Sequence, residues 1–231
     1  MRALLVTCIM LCFFEANGQE VTGNIKNHGN SEMDMVLMLF GTETPISIGK
    51  VDETGKFTAN LSNLKIDQFS EDDISMALGD LYLNFFFSCA DPQTFGEYFD
   101  KPALRQDFVR LPSKGEWAGS VFLVSDENLI PWIEDSAFND AVLGTFYEIV
   151  YVPNEIAIKA SCTTTISATE EEEVEVAYHY NLKLNAGFNW VEYTIEEVFE
   201  TDPNIRASFP SKVKITNVMD ASKMLWIGKY Y

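Results

Sequence analysis

Residues able to do chemistry are few in this chain. It holds two histidines, His28 and His179, and four cysteines, of which Cys8 and Cys12 lie in the first apolar run and Cys89 and Cys162 in the body of the chain. A side-chain nucleophile needs a base within hydrogen-bond reach and a further group to orient that base. No Gly-x-Ser-x-Gly elbow occurs, and neither Cys89 nor Cys162 has a histidine close in sequence. His179 alternates with Glu175 and Lys183, the pattern of an exposed strand position. His28 falls in Asn27-His28-Gly29-Asn30, a turn sequence. No catalytic residue is assigned.

Metal chemistry has equally little support. Zinc requires clustered His or Cys ligands, and there is no His-Glu-x-x-His and no Cys-x-x-Cys. Calcium takes oxygen ligands converging from loops. Acidic loops occur at Asp52-Glu53, Ser70–Asp73 and Asp202-Pro203-Asn204, but none has a diagnostic spacing. No metal ligand and no cofactor are therefore assigned, and a structural calcium is the one ion these loops leave room for. Paired carboxylates could hydrolyse a glycosidic bond, but with 35 Asp and Glu some pair falls at a suitable separation by chance. No Gly-x-x-x-x-Gly-Lys phosphate loop is present. The remaining candidates are aromatic. Phe188 and Trp190 lie near a turn, out of phase with Val191, Tyr193 and Ile195. Rings off the core parity there could stack a sugar or a partner. The competing placement of Trp190 is in the core.

These residues hang on strands. Across 173–184, Val174, Val176, Tyr178, Tyr180, Leu182 and Leu184 share one parity, and Glu175, Ala177, His179, Asn181 and Lys183 the other. Such alternation is the period of a half-buried strand. Asn185-Ala186-Gly187 supplies a turn, and 188–198 reads as the returning strand of a hairpin, with a β-bulge near Trp190 to account for its phase slip. Earlier, VTGNIKN, MDMVLMLFG, PISIGKV and KFTANL read as four strands, with Asp52-Glu53-Thr54-Gly55 as a turn. Ser70 with Asp73 fits a capping box for a short helix. LYLNFFFSCA reads as a buried strand carrying Cys89. From Asp91 to Ser113, Pro92, Gly96, Pro102 and Pro112 break the pattern, and the stretch reads as a connection. The fold class expected is all-β: β-sandwich domains, mainly antiparallel, with one or two short helices.

Residues 1–18 have the form of a secretory signal peptide. Arg2 is the positive region, 3–14 the apolar run, and Ala16-Asn17-Gly18 a small-residue cleavage site. The run is too short to span a bilayer, and no later stretch is long enough, so no transmembrane segment is expected. Two β domains are expected beyond it, at 19–112 and 113–231. The net charge of −19 opposes nucleic acid and anionic lipid surfaces. In an exported chain Cys89 and Cys162 are disulfide candidates, with two buried free thiols as the alternative.

Gly23, Ile25, Val36, Leu37, Ile48, Gly49, Val51, Gly55 and Phe57 carry a pattern over residues 21–61 that resembles the transthyretin-like or carboxypeptidase-regulatory-like β-sandwich modules of secreted bacterial proteins. The resemblance implies a structural or interaction domain and brings no catalytic residue. The function expected is that of a secreted or periplasmic, non-catalytic β-sandwich protein with a structural or interaction role and a protein or glycan partner. The alternative is a carbohydrate-binding module or glycan-active enzyme with an aromatic platform formed by Phe188 and Trp190.

Overall fold

The computed structural model describes residues 20–231 apart from 30, 43, 63, 90, 114–115, 169–171, 203 and 205. The signal segment expected at 1–18 lies outside the described residues.

Fourteen strands are formed by the described residues. They are β1 (Glu20–Lys26), β2 (Met33–Met38), β3 (Pro45–Val51), β4 (Lys56–Asn60), β5 (Gly79–Asp80), β6 (Pro102–Gln106), β7 (Val109–Ser113), β8 (Glu116–Val124), β9 (Gly144–Val152), β10 (Ile156–Ser167), β11 (Glu173–Leu184), β12 (Gly187–Phe199), β13 (Phe209–Asn217) and β14 (Leu225–Tyr230). Three short helices accompany them: α1 (Glu71–Ala77), α2 (Pro92–Phe95) and α3 (Ile130–Glu134). The chain is all-β. Its pairings are antiparallel except for β1 with β14 and β11 with β13.

The first four strands fall where alternation places them. The β3–β4 turn is set by Asp52, whose Oδ1 accepts from the Thr54 and Lys56 amides, and by Gly55 at φ 84°. There an L side chain would be strained, and glycine is not. Helix α1 carries the capping box: the Ser70 side chain accepts from the Asp73 amide, and the Asp73 carboxylate accepts from the Ser70 amide.

In place of a sandwich, the sheet curls into a barrel. The hydrogen-bonded circuit β8-β14-β1-β4-β3-β2-β7 returns to β8, so seven strands close. Closure removes the free edges that an open sheet would leave. Strands from both sides of residue 112 build this circuit: β7 pairs β8, and the C-terminal β14 pairs β1. The hydrogen-bonded units thus do not follow the division expected between residues 112 and 113.

From β8 the sheet continues outward through β9, β12, β13 and β11 to β10. This wing makes the chain a two-core structure. One core fills the barrel with Ile25, Met35, Leu37, Val51, Leu111 and Val121, among others. The other lies on the opposite face of the wing. It gathers Phe146, Val150, Val191, Tyr193, Tyr180 and Ile215 under a cover formed by residues 81–99 and α3. Leu81–Asn84 is a 3-10 turn, not the strand expected there, because the cover must turn its aromatic side chains onto a sheet face, not extend beside it. Cys89 in this cover is disulfide-bonded to Cys162 of β10 across a Cα–Cα distance of 6.5 Å. That distance is within the range a disulfide spans.

The hairpin expected from β11 to β12 does not form. β13 inserts between them, parallel to β11 and antiparallel to β12. Nor is there a bulge at Trp190: β12 pairs with β9 in unbroken register from Gly187 to Ile195, and the irregularity lies at Glu197. The phase slip has a different cause. Phe188 and Trp190 enter the barrel core, while Val191, Tyr193 and Ile195 enter the second core, so both faces of the strand are apolar.

Candidate functional site

The expected aromatic platform is buried. Phe188 is 1% exposed and Trp190 is 4% exposed. Phe188 packs on Tyr151, and Trp190 meets Trp226 edge-on at 5.8 Å between ring centroids. Neither presents a face for a sugar to stack on, because β9 and β12 lay their barrel-side residues over the barrel core.

The histidines are placed apart, His28 in the segment after β1 and His179 on β11. The Ser161 hydroxyl lies 2.8 Å from His179 Nδ1, directly opposite on β10 and β11. Across the other side of β11 the residue in register with His179 is Lys214. A cation there cannot orient an imidazole or stabilise its protonated form as a carboxylate does, so a charge-relay arrangement is not built. His28 contacts Tyr230 and the Ser31 carbonyl. The acidic loops are spent on local structure. Asp52, Asp73 and Asp202 cap their own turns, and among the described residues no group of three or more His, Cys, Asp and Glu converges as a metal site.

What the fold does assemble is a groove of about 320 Å³ between the end of β2 and the strands β6 and β7. It is lined by Phe40 from the loop after β2, by Arg105, Gln106, Asp107 and Phe108, and by Arg110. Alternation places Arg110 on the outer face of β7, because its neighbours Val109 and Leu111 point into the barrel core. Its guanidinium lies 4.4 Å from the Phe108 ring centroid and 5.7 Å from that of Trp117, within the range of cation–π attraction. Its polar contact is the Ser120 hydroxyl at 3.5 Å. No carboxylate lies within ion-pair distance of Arg110 among the described residues. Phe40, which lines the groove, is 74% exposed, and Trp117, beside Arg110, is 47% exposed.

Behind the groove sits a buried polar cluster. Arg105 Nε contacts Asp107 at 2.8 Å and reaches toward Glu148 of β9 at 3.8 Å. Glu148 is only 2% exposed. It lies on the second-core parity of β9, among Phe146 and Val150. Burial pushes its carboxyl up to about 8, against the pull of Arg105 in the other direction. The Tyr193 hydroxyl accepts from the Phe86 amide, and burial, with the nearby Glu148, raises its pKa well above that of a free tyrosine. Glu148 Oε2 has no hydrogen-bond partner among the described residues. At neutral pH this carboxyl is therefore mostly protonated, and the groove carries the two guanidiniums against the single charge of Asp107.

These groove residues were not singled out by spacing. Arg105, Phe108 and Arg110 lie in the proline-punctuated stretch read as a connection, and Phe40 and Trp117 approach them only through tertiary pairing. One signal was available. The sequence has four arginines, and two of them stand five residues apart beside a phenylalanine.

Comparison with protein-family models, with curated proteins and with solved structures finds no match for this chain.

Proposed function

We propose that this chain is an exported, non-catalytic β protein that works by binding, and that the Arg105–Arg110 groove is where its partner docks. The observation that carries this reading is Arg110. In a chain of net charge −19, a half-buried guanidinium held between aromatic rings has no carboxylate partner among the described residues. An arginine offers a planar fork of donors that suits carboxylate, sulfate and phosphate oxygens. Left unpaired amid an excess of acids, it is arranged for a group that comes from outside. Export is supported by the form of residues 1–18 and by the bond between Cys89 and Cys162, which suits an oxidising compartment. No helix among the described residues is long and apolar enough to cross a membrane.

The test is a paired array of neutral and acidic glycans and acidic peptides, probed with the mature chain and with Arg110→Ala. Signal from the native chain that the variant loses, with ligands recovered uncut by mass spectrometry, supports binding at the groove. Signal indifferent to Arg110, or cleavage of a ligand, overturns it.

A further inference from the structure

We infer that the Arg105–Arg110 groove takes a short acidic oligosaccharide, its carboxylate or sulfate group meeting Arg110 and its sugar rings lying against Phe40 and Trp117. This rests on the proposal that the groove is the binding surface, and it names the class of ligand.

Three features favour a saccharide over an acidic peptide. First, the groove offers side chains in place of free backbone. β7 is paired on both sides, to β2 and to β8. The Arg105 amide is taken by the Asn84 side chain and the Met38 amide by that of Gln106. An extended peptide gains much of its affinity by pairing its main chain with an open sheet edge, and none is offered here. Second, two exposed aromatic rings accompany the cation: Phe40 lines the groove with Arg110, and the Trp117 ring on β8 lies 5.7 Å from the guanidinium. A pyranose ring presents C–H groups that pack on such faces, while its hydroxyls stay in water. Third, the charge is local. The chain as a whole repels anions, but at physiological ionic strength that repulsion decays over about 8 Å. One acidic group brought into contact with Arg110 is attracted, whereas a dense polyanion would lay further charges along an acidic surface. The geometry thus selects a short ligand with isolated charges and discriminates against nucleic acid.

The test is isothermal titration of the mature chain at neutral pH with five probes. These are a uronate-containing oligosaccharide, a sulfated oligosaccharide, the neutral counterpart of each, and an oligoglutamate. The expected result is saturable binding of one or both acidic sugars, at least tenfold weaker binding of the neutral counterparts, and no binding of oligoglutamate. The uronate and sulfate arms separate the two sources of charge. Arg110→Ala should lose at least tenfold and Phe40→Ala several-fold, with unchanged circular dichroism for both. Equal binding of neutral and acidic sugars overturns the assignment. Oligoglutamate binding that depends on Arg110 overturns the saccharide class but leaves the groove as the docking surface. No binding of any probe overturns the saccharide class, and the array above then decides the groove separately.

Discussion

Replacing Glu148 by glutamine should stabilise the protein, and the gain should grow with pH. The carboxyl is wholly buried, and its pKa stands at about 8 in place of the ordinary 4.5. A carboxyl whose folded pKa is raised favours the folded state fully below its unfolded value and loses that contribution as pH rises through the folded one. Here the window runs from about 4.5 to about 8. At pH 7 the unfolded chain releases this proton readily while the folded chain retains it. At 1.36 kcal/mol per unit, the difference costs the fold about 3 kcal/mol relative to acid conditions. Glutamine has nearly the same shape and no carboxyl proton to lose. Urea unfolding of native and Glu148→Gln chains at pH 5 and pH 8 measures the effect. The variant should be more stable than native by only about 1 kcal/mol at pH 5 and by about 4 kcal/mol at pH 8, the latter roughly 8–16 °C in Tm. A gain equal at both values, or a loss at pH 8, would show that Arg105 holds Glu148 ionised as a salt bridge, and the charge assigned to the groove would then be wrong.

Two further outcomes follow from the packing. Reducing the Cys89–Cys162 bond, or changing both residues to serine, should cost about 4 kcal/mol for a loop of 73 residues in the chain-entropy view, read from chemical unfolding. The cover formed by residues 81–99 should then exchange its amides faster than the barrel does. Gly49→Ala should cost roughly 3 kcal/mol or more by overpacking, because a Cβ there would lie 2.0 Å from the Thr58 carbonyl oxygen, a contact between neighbouring barrel strands that cannot give way. A thermal midpoint unchanged by this substitution would refute the β3–β4 register.

What could be read from the chain depended on how many faces of each strand are covered. β11 has one face in the second core and one toward solvent, so Val176 through Leu184 alternate with Glu175, His179 and Lys183 and the strand is legible. β12 has a core on each face, so Phe188 and Trp190 fall on the parity opposite to Val191 and Tyr193 although the register is regular. The same double burial turned Phe188 and Trp190 from an imagined platform into core. The closure of the barrel rests on β1 meeting β14 and on β7 meeting β8, and the first of these joins the two ends of the described chain with no local mark in either sequence. β13 entering between β11 and β12 is equally a long-range choice. The groove is the extreme case. Its residues come from the loop after β2, from β6 and β7, and from the start of β8, and each is unremarkable in its own segment.

The most direct measurement of the central claim is a nitrogen-15 NMR titration that follows the Nε–Hε signals of Arg105, Arg110 and Arg206 and the Trp117 indole while a uronate-containing oligosaccharide is added. Arg206 lies over the Phe209 ring, away from the groove, and serves as the internal reference. The expected result is a saturating shift of Arg110 and Trp117, a smaller one at Arg105, and none at Arg206. Arg110 unmoved throughout, or all three arginines drifting in parallel without saturation, would contradict a built anionic site at this groove.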